Sequence, residues 1–226
     1  KMTTQSTSAT FLGRSGKVYT FENTAVTDGT AGEEMLSGPS PFALTAQSLG
    51  DYAQGDVLVA GLVTAQTNIG CAYVSYGGEI VSTLPIAASN VVNGMQNLQK
   101  PIMVKPGMVL QVVTNVVATT QYYLSVETPS QSHIFGYTST GAATGELVSI
   151  LTGQSVGRVL RGAISSAYFT GPLDTTAAPA GSLFVNGQGN PVGFIPLNNS
   201  SKSQPMYSSF PITMDLNTRA QIVTDA

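Results

Sequence analysis

Short runs of apolar and β-branched residues, separated by Gly, Pro and Asn, predict a chain built almost entirely from β-strands. Residues 57–63 form a continuous apolar run of strand length, which is typical of a strand buried on both faces. Residues 17–21 alternate in the manner of a half-buried strand. The best helix candidate is 86–99, but it contains Asn and Gly, so a short turn or loop fits it equally well.

Two segments predict β-hairpins. In 71–84, two strand-like runs flank Gly77-Gly78, a pair that supplies the positive φ angles of a tight hairpin turn. In 108–127, a β-branched run and a Tyr-rich run are separated by 118–120, which we expect to form the turn of a second hairpin. Both segments place consecutive strands side by side in an antiparallel sheet.

The second half of the chain carries weaker strand signals. Turn signals recur every 8–15 residues or so, and about ten short strands in this spacing predict an antiparallel β-sandwich or barrel. We expect one sandwich domain over 11–216, with a sub-boundary near 171–181; a break there or near 129–132 would suit two small sandwiches. The further strands are expected at 133–138, 146–152, 156–169, 182–185, 192–197 and 210–216.

The charge content is unusually low. The chain has 226 residues, of which nine are basic and twelve acidic, so about 9% are charged where roughly 25% is usual. No run of Lys or Arg offers the cations that displace phosphate counterions, so direct nucleic-acid binding is not expected. No apolar run reaches membrane-spanning length and the first 20 residues lack the apolar stretch of a signal peptide, so neither feature is expected. A surface this poor in charge favours burial against copies of the same chain.

Motifs for cofactors and metals are incomplete. One Cys and one His cannot supply a disulfide framework or a Cys/His zinc site. The segment 13–17 superficially resembles a phosphate-binding loop, but its Gly–Gly-Lys spacing is too short, so we expect a turn before a strand. The Gly-rich segment 187–193 has the wrong spacing for a dinucleotide fingerprint and is expected to be a loop. No cofactor and no metal are predicted.

No catalytic constellation is predicted either. His133 is the single imidazole available to a Ser/His/Asp mechanism, and its position after a Pro-marked turn indicates a surface or turn residue. Cys71 opens an apolar strand and is expected to be a buried, inert thiol. The adjacent Glu33-Glu34 would point to opposite faces of an extended chain and are expected in a solvated loop. Asp51 and Asp56 could help backbone carbonyls to hold a calcium ion, although a polar turn explains them equally well.

Tyrosine is the most informative residue type, because the chain has nine Tyr and no Trp. Aromatic side chains supply contact area at protein interfaces and stacking platforms for sugars. The simpler explanation is that they fill the rims of a β-sandwich. The Tyr residues considered for contact roles are Tyr52, Tyr73, Tyr76, Tyr122, Tyr123, Tyr137, Tyr168 and Tyr207.

The segments 55–76 and 105–127 consist of long uncharged strands joined by short polar turns. In this the chain resembles virion structural proteins of bacteriophages and similar viruses, of the jelly-roll capsid or decoration type. The resemblance implies an eight-stranded jelly-roll-like sandwich, assembly into trimers or larger capsomers, and extended terminal arms, here 1–10 and 217–226. Because neither arm is basic, contact with the genome is expected to fall to an internal membrane or another protein.

The leading functional hypothesis is therefore a non-enzymatic capsid subunit in a virion, whose partners are copies of itself and other virion proteins; a decoration, spike or vertex protein is close to it. The alternative is a β-sandwich that binds a host receptor or glycan, as in a fibre tip or adhesin. A glycoside-cleaving jelly roll is a third hypothesis and would need two carboxylates about 5–9.5 Å apart. Exposed Tyr gathered beside Asp or Asn in one loop region would favour the binding module; Tyr spread over lateral faces would favour assembly.

Overall fold

The computed structural model describes residues 4–27, 33–34, 36–37, 48–65, 71–84, 86–88, 95–113, 120–139, 145–170, 179–196 and 212–224. Strands dominate these residues, and all their pairings except β5 with β8, defined below, are antiparallel. The predicted all-β, antiparallel class is confirmed, whereas the jelly-roll arrangement stays a prediction. The contacts divide the chain into two compact units, Lys1–Thr114 (unit 1) and Asn115–Ala226 (unit 2). That division lies away from 129–132 and 171–181, and a single sandwich over 11–216 stays a prediction.

Unit 1 contains two sheets and one helical turn. One sheet has the order β4-β2-β1-β5-β8, with β9 also paired to β5, and the other has the order β3-β10-β6-β7. The elements are β1 (Thr4–Gly13), β2 (Val18–Thr27), β3 (Glu33–Glu34), β4 (Leu36–Ser37), α1 (Leu49–Tyr52), β5 (Val57–Ala65), β6 (Cys71–Tyr76), β7 (Glu79–Leu84), β8 (Ile86–Ala88), β9 (Gln96–Met103) and β10 (Val109–Val113).

Unit 2 is built around one curled sheet with the order β15-β11-β12-β13-β19-β16-β17. Its outermost strands β15 and β17 approach each other, so the sheet is nearly barrel-shaped; β14 and β18 form a separate pair. Its elements are β11 (Thr120–Glu127), β12 (Ser132–Ser139), β13 (Glu146–Ser149), α2 (Val156–Val159), β14 (Gly162–Ile164), β15 (Ser166–Thr170), β16 (Pro179–Val185), β17 (Pro191–Pro196), β18 (Ile212–Met214) and β19 (Arg219–Thr224). The core includes Tyr122, Leu124, Phe135, Phe169, Phe184 and Ile195.

The hairpin predicted for 71–84 is confirmed. Strands β6 and β7 pair with each other, and Gly77 and Gly78 take φ angles of 61° and 83°. These left-handed angles are open to Gly without a steric cost and match the twist of the flanking strands.

The hairpin predicted for 108–127 is wrong. Strand β10 pairs with β6 and β3, whereas β11 pairs with β12 and β15. A β-branched run indicates a strand but does not choose its partner, which depends on cross-strand packing. The intended turn, 118–120, lies outside the described residues except for Thr120, which begins β11.

The helix considered at 86–99 is replaced by strand at 86–88 and 96–99, and Met95 has no regular secondary structure. Residues Ile86–Ala88 pair in parallel with Val63–Ala65 of β5, and Gln96 begins β9. Pairing with β5 outweighs the weak local preference of Ile86-Ala87-Ala88. Residues 89–94 lie outside the described residues.

Parts of the expected terminal arms are paired strands instead. Strand β1 lies between β2 and β5, with Thr7, Ala9 and Phe11 buried and Ser8 exposed. Strand β19 lies between β13 and β16. Small and hydroxylated side chains occupy both the buried and the exposed positions of β1, so the sequence shows little hydrophobic alternation there. The segment was therefore predicted to be a polar arm.

The predicted strands of the second half fall on β12, β13, β16 and β17. The long segment expected at 156–169 is instead divided into α2, β14 and β15, with Gly162 at φ 93° allowing the chain to change direction. Of 210–216, Ile212–Met214 forms β18, and 210–211 lie outside the described residues.

Candidate functional site

Four loop segments of unit 1 meet at one end of its two sheets. They are the turn 14–17, the segment 48–56, the segment 76–78 and the segment 104–108, and together we call them the loop end. Backbone hydrogen bonds join two of them, 48–56 and 104–108: the amide of Gly50 donates to Met108 O at 2.8 Å and that of Gly55 to Val104 O at 3.1 Å. The side chain of Asp56 joins the turn 14–17 to them, and a contact between Lys105 and Tyr76 joins the end of β6. The loop end therefore connects the β1–β5 side of the unit with the β6–β10 side.

Gly50 allows α1 to lie directly on the segment 104–108. A Cβ atom at this position would stand 2.7 Å from the carbonyl oxygen of Lys105 and 2.8 Å from the amide nitrogen of Gly107. Real Cβ atoms do not approach backbone so closely, so only Gly permits this docking. The contact fixes the position of Tyr52, two residues further along α1.

Asp56 holds the turn between β1 and β2. Its carboxylate accepts hydrogen bonds from the Ser15 amide at 3.2 Å, the Tyr19 hydroxyl at 2.8 Å, the Val57 amide at 2.7 Å and the Ser15 hydroxyl. The bond from the Ser15 hydroxyl is the main cause that lowers the pKa of Asp56 to about 2. A Cβ atom on Gly13 would collide with this carboxylate, so Gly13 makes room for it.

These contacts explain the two sequence features that suggested anion or cation binding. The segment 13–17 is a hairpin turn, as predicted, and the anion that it holds is the protein's own Asp56. Asp51 instead accepts a bond from the Ser48 hydroxyl at 3.1 Å. Among the described residues, no group of three or more His, Cys, Asp or Glu side chains is placed to hold a metal ion, and the calcium hypothesis for Asp51 and Asp56 gains no support.

A chain of edge-to-face aromatic contacts runs from the core of unit 1 to its surface. The ring centroids of Phe11 and Phe21 are 5.9 Å apart, those of Phe21 and Tyr52 5.7 Å, and those of Tyr19 and Tyr52 5.6 Å, with interplanar angles of 76–86°. Burial, followed by the hydrogen bond to Asp56, raises the pKa of Tyr19, which keeps its hydroxyl a donor. The contacts with Tyr19 and Phe21 thus fix the Tyr52 ring, while 40% of the surface of Tyr52 is exposed.

Tyr76 is the second exposed tyrosine of the loop end, at 42%. The Nζ atom of Lys105 stands 5.7 Å from its ring centroid, a cation–π contact that occupies one face of the ring. The other tyrosines with described side chains are buried or half-buried: Tyr19, Tyr73, Tyr122, Tyr123 and Tyr137. The side chain of Tyr168 and all of Tyr207 lie outside the described residues.

His133 is buried in strand β12 of unit 2, so its expected place on the surface or in a turn is wrong. Its Nε2 lies 2.7 Å from Ser149 Oγ, which also accepts the amides of Leu151 at 3.2 Å and Thr152 at 3.1 Å. With both lone pairs of that hydroxyl engaged, Ser149 donates its proton to Nε2. Burial lowers the pKa of His133 to about 4, which favours this neutral form. The pair closes the turn that follows β13.

The remaining candidates have structural positions. Cys71 is buried, as predicted, and burial raises the pKa of its thiol. Glu33 and Glu34 form β3 and pair with β10, so the expected loop is wrong. The Gly-rich segment 187–189 is the turn between β16 and β17, as predicted, where the Asn186 side chain accepts the amides of Gln188 and Asn190, each at 3.0 Å.

Sequence reasoning missed Asp56 as the centre of the loop end, because its partners Ser15 and Tyr19 are 41 and 37 residues away. Comparison with protein families, curated proteins and solved structures found no match. Within the described ranges, no helix is long and apolar enough to cross a membrane.

Proposed function

We propose that this chain is a virion structural protein, a capsid-type subunit that assembles with copies of itself. The observation that carries the proposal is the outer face of strand β17. Val192 and Phe194 point outward there and are 40% and 45% exposed, whereas Ile195 points inward and is fully buried. Exposed apolar side chains on neighbouring positions of one face are typical of a contact surface.

The outer face of β17 favours contact through side chains. The strand begins and ends with Pro191 and Pro196, which lack the amide donors that an added strand would need. The ring of Phe194 lies over Gly181 of β16, so it is supported in place before any partner arrives. A preformed side chain loses little conformational entropy on binding.

The low charge content supports the same proposal. Desolvating a charge is costly unless it is paired, and only about 9% of the residues are charged. A standard interface buries about 1,600 Å² in total, an area that this chain can cover with few charged groups. A capsid subunit needs such interfaces with several neighbours and needs no catalytic step.

The test is the mass by light scattering over a concentration series after gel filtration. We expect a trimer or larger assembly for the wild type and a shift towards monomer for Phe194→Lys and, separately, for Val192→Lys, which leaves the ring on Gly181 intact. Leu151→Lys is the matched control, because Leu151 is an apolar residue of unit 2 with a similar exposure of 44%. Electron microscopy of the wild type should show closed or regular particles.

Two outcomes would contradict the proposal. One is a wild-type monomer at every concentration. The other is equal loss of mass in all three variants, which would mean that the charge itself, and no particular surface, disturbs the protein.

A further inference from the structure

The turn between β16 and β17 holds an Asn–Gly pair, Asn186-Gly187, in a defined geometry. The amide of Asn186 donates to Asn190 O at 3.0 Å, and the amide of Gly189 donates to Asn186 O at 2.9 Å. Gly189 takes a φ angle of 83°, a left-handed conformation that Gly adopts without a steric cost. The pair therefore belongs to an ordered hairpin turn.

Two backbone donors hold the side-chain carbonyl of Asn186. Its Oδ1 atom accepts the amides of Gln188 and Asn190, each at 3.0 Å. The bond from Gln188, two residues further on, folds the Cγ atom of Asn186 back along the main chain towards Gly187. Two N–H donors on one carbonyl oxygen make its carbon more electrophilic and stabilise negative charge that develops on the oxygen, as the donors of an oxyanion hole do.

The nitrogen atoms of the pair are free to react. Within the part of the chain that the structure describes, neither Nδ2 of Asn186 nor the backbone amide of Gly187 makes a hydrogen bond. Gly187 is exposed, so water and hydroxide reach its amide, and it has no side chain to obstruct an attack by its nitrogen. Asn190 of the same turn differs, because it precedes Pro191, whose nitrogen carries no proton.

We infer that Asn186 is a site of spontaneous covalent modification, where the folded turn promotes conversion of the asparagine into aspartate and isoaspartate. The Gly187 nitrogen loses its proton to hydroxide and forms a bond to Cγ of Asn186. The bond from Cγ to Nδ2 breaks, and Nδ2 takes up a proton from water and leaves as ammonia. Water then adds to either carbonyl of the succinimide ring and opens it. The net change replaces one ammonia with one water, and no atom is oxidised or reduced.

The two products differ in their effect on the turn. The aspartate carboxylate still accepts the amides of Gln188 and Asn190, and its charge strengthens such bonds. In isoaspartate the main chain runs through the former side chain and is one carbon longer, so the hydrogen bonds of the turn lose their register. Either product adds a negative charge to the turn that leads into β17. An effect of that charge on assembly rests on the proposed function, whereas the modification itself does not.

The test is peptide mapping by mass spectrometry of the full chain, incubated at mildly alkaline pH in isotopically labelled water, both native and unfolded in urea. The label marks each new carboxylate, and electron-transfer fragmentation distinguishes isoaspartate from aspartate. We expect Asn186 to react in the native protein at least as fast as in urea, because the turn keeps both donors on Oδ1. The rate should rise about tenfold per pH unit, since each unit raises the deprotonated fraction of a weak acid tenfold.

Other asparagines of the same chain are internal controls. Asn190 precedes Pro191 and lacks the nucleophile, and Asn217 is exposed in a neighbouring turn but is followed by Thr218, whose branched side chain obstructs attack. In the native protein each should react at least about tenfold more slowly than Asn186. Asn93-Gly94, the other Asn–Gly pair of the sequence, should react like Asn186 in urea and shows that the assay detects the reaction.

Two outcomes would overturn the inference. One is a slower reaction of Asn186 in the native protein than in urea, which would mean that the turn protects the pair. The other is an equal rate at Asn186 and Asn217 in the native protein. Light scattering on the same samples separates this inference from the proposed function: an assembled protein with unmodified Asn186 overturns the site alone, and a monomer with modified Asn186 overturns the capsid proposal alone.

Discussion

Asp56 and His133 are single residues on which local structure in their respective units depends. Asp56 joins the turn 14–17 to the start of β5 through four hydrogen bonds. His133 joins β12 to the turn after β13 through Ser149. Asp56 makes its hydrogen bonds in the ionised form and His133 makes its hydrogen bond in the neutral form. Protonation of either side chain should therefore lower the stability of the protein as the pH falls.

Replacing Asp56 with Asn should lower the melting temperature at pH 7, because an amide presents one weaker acceptor oxygen where the carboxylate accepts four bonds. The folded pKa of about 2 lies below the ordinary 3.8. The advantage of the wild type is therefore complete above about pH 4 and is lost as the pH falls towards 2. Thermal denaturation of both proteins across this range measures it.

Asp51→Asn is the control for that experiment, since Asp51 is the other carboxylate of the loop end, is exposed and accepts the Ser48 hydroxyl. It should change the melting temperature much less than Asp56→Asn. Equal effects of the two substitutions would show that Asp56 has no special role in holding the turn.

His133 should make unit 2 sensitive to mild acid. Its folded pKa of about 4 lies below the ordinary 6.5, so its stabilisation is complete above about pH 6.5 and is lost as the pH falls to 4. A shift of this size corresponds to at most about 3 kcal/mol. Urea denaturation should show a steeper loss of stability from pH 6.5 to 4 in the wild type than in His133→Gln, which has no titrating ring. Parallel curves for the two proteins would contradict the assignment.

At the scale of elements, sequence patterns were reliable where the signal is local. The pair Gly77-Gly78, which lies directly between β6 and β7, predicts the hairpin that these two strands form. Partner choice is not local: β10 joins β6, across a sequence gap of more than 30 residues, instead of the next run along the chain. The loop end depends in the same way on contacts between residues that are far apart in sequence, such as Tyr19 and Asp56. The sequence shows these residues, but it does not predict that they lie together.

Replacing Gly50, the residue of α1 that lies against 104–108, with any larger residue should destabilise the protein. In Gly50→Ala the new Cβ would meet Lys105 O and Gly107 N at under 3 Å, and backbone cannot move aside as a flexible side chain does. We expect the free energy of unfolding to fall by about 1–3 kcal/mol. Urea denaturation of the variant and the wild type measures this loss. Gln54→Ala introduces the same residue at an exposed position just after α1 and should change the stability little. Equal stability of Gly50→Ala and the wild type would mean that α1 docks differently.

At the scale of the whole molecule, the low charge content predicts how assembly responds to salt. Contacts between charges weaken as ionic strength rises, because the screening length falls from about 10 Å at 0.1 M to about 3 Å at 1 M. Apolar contacts such as those expected of Val192 and Phe194 are not screened and become stronger in salts that are excluded from protein surfaces. The mass by light scattering should therefore stay constant, or rise, between about 0.1 and about 1 M NaCl, and it should rise with added sulfate. Phe194→Lys should assemble least at low salt and recover part of its mass as NaCl increases, since the introduced charge repels its copy at the interface most at low salt. A wild-type assembly that dissociates as NaCl increases would instead be held by the few charged residues of the chain, and β17 would not be its main contact.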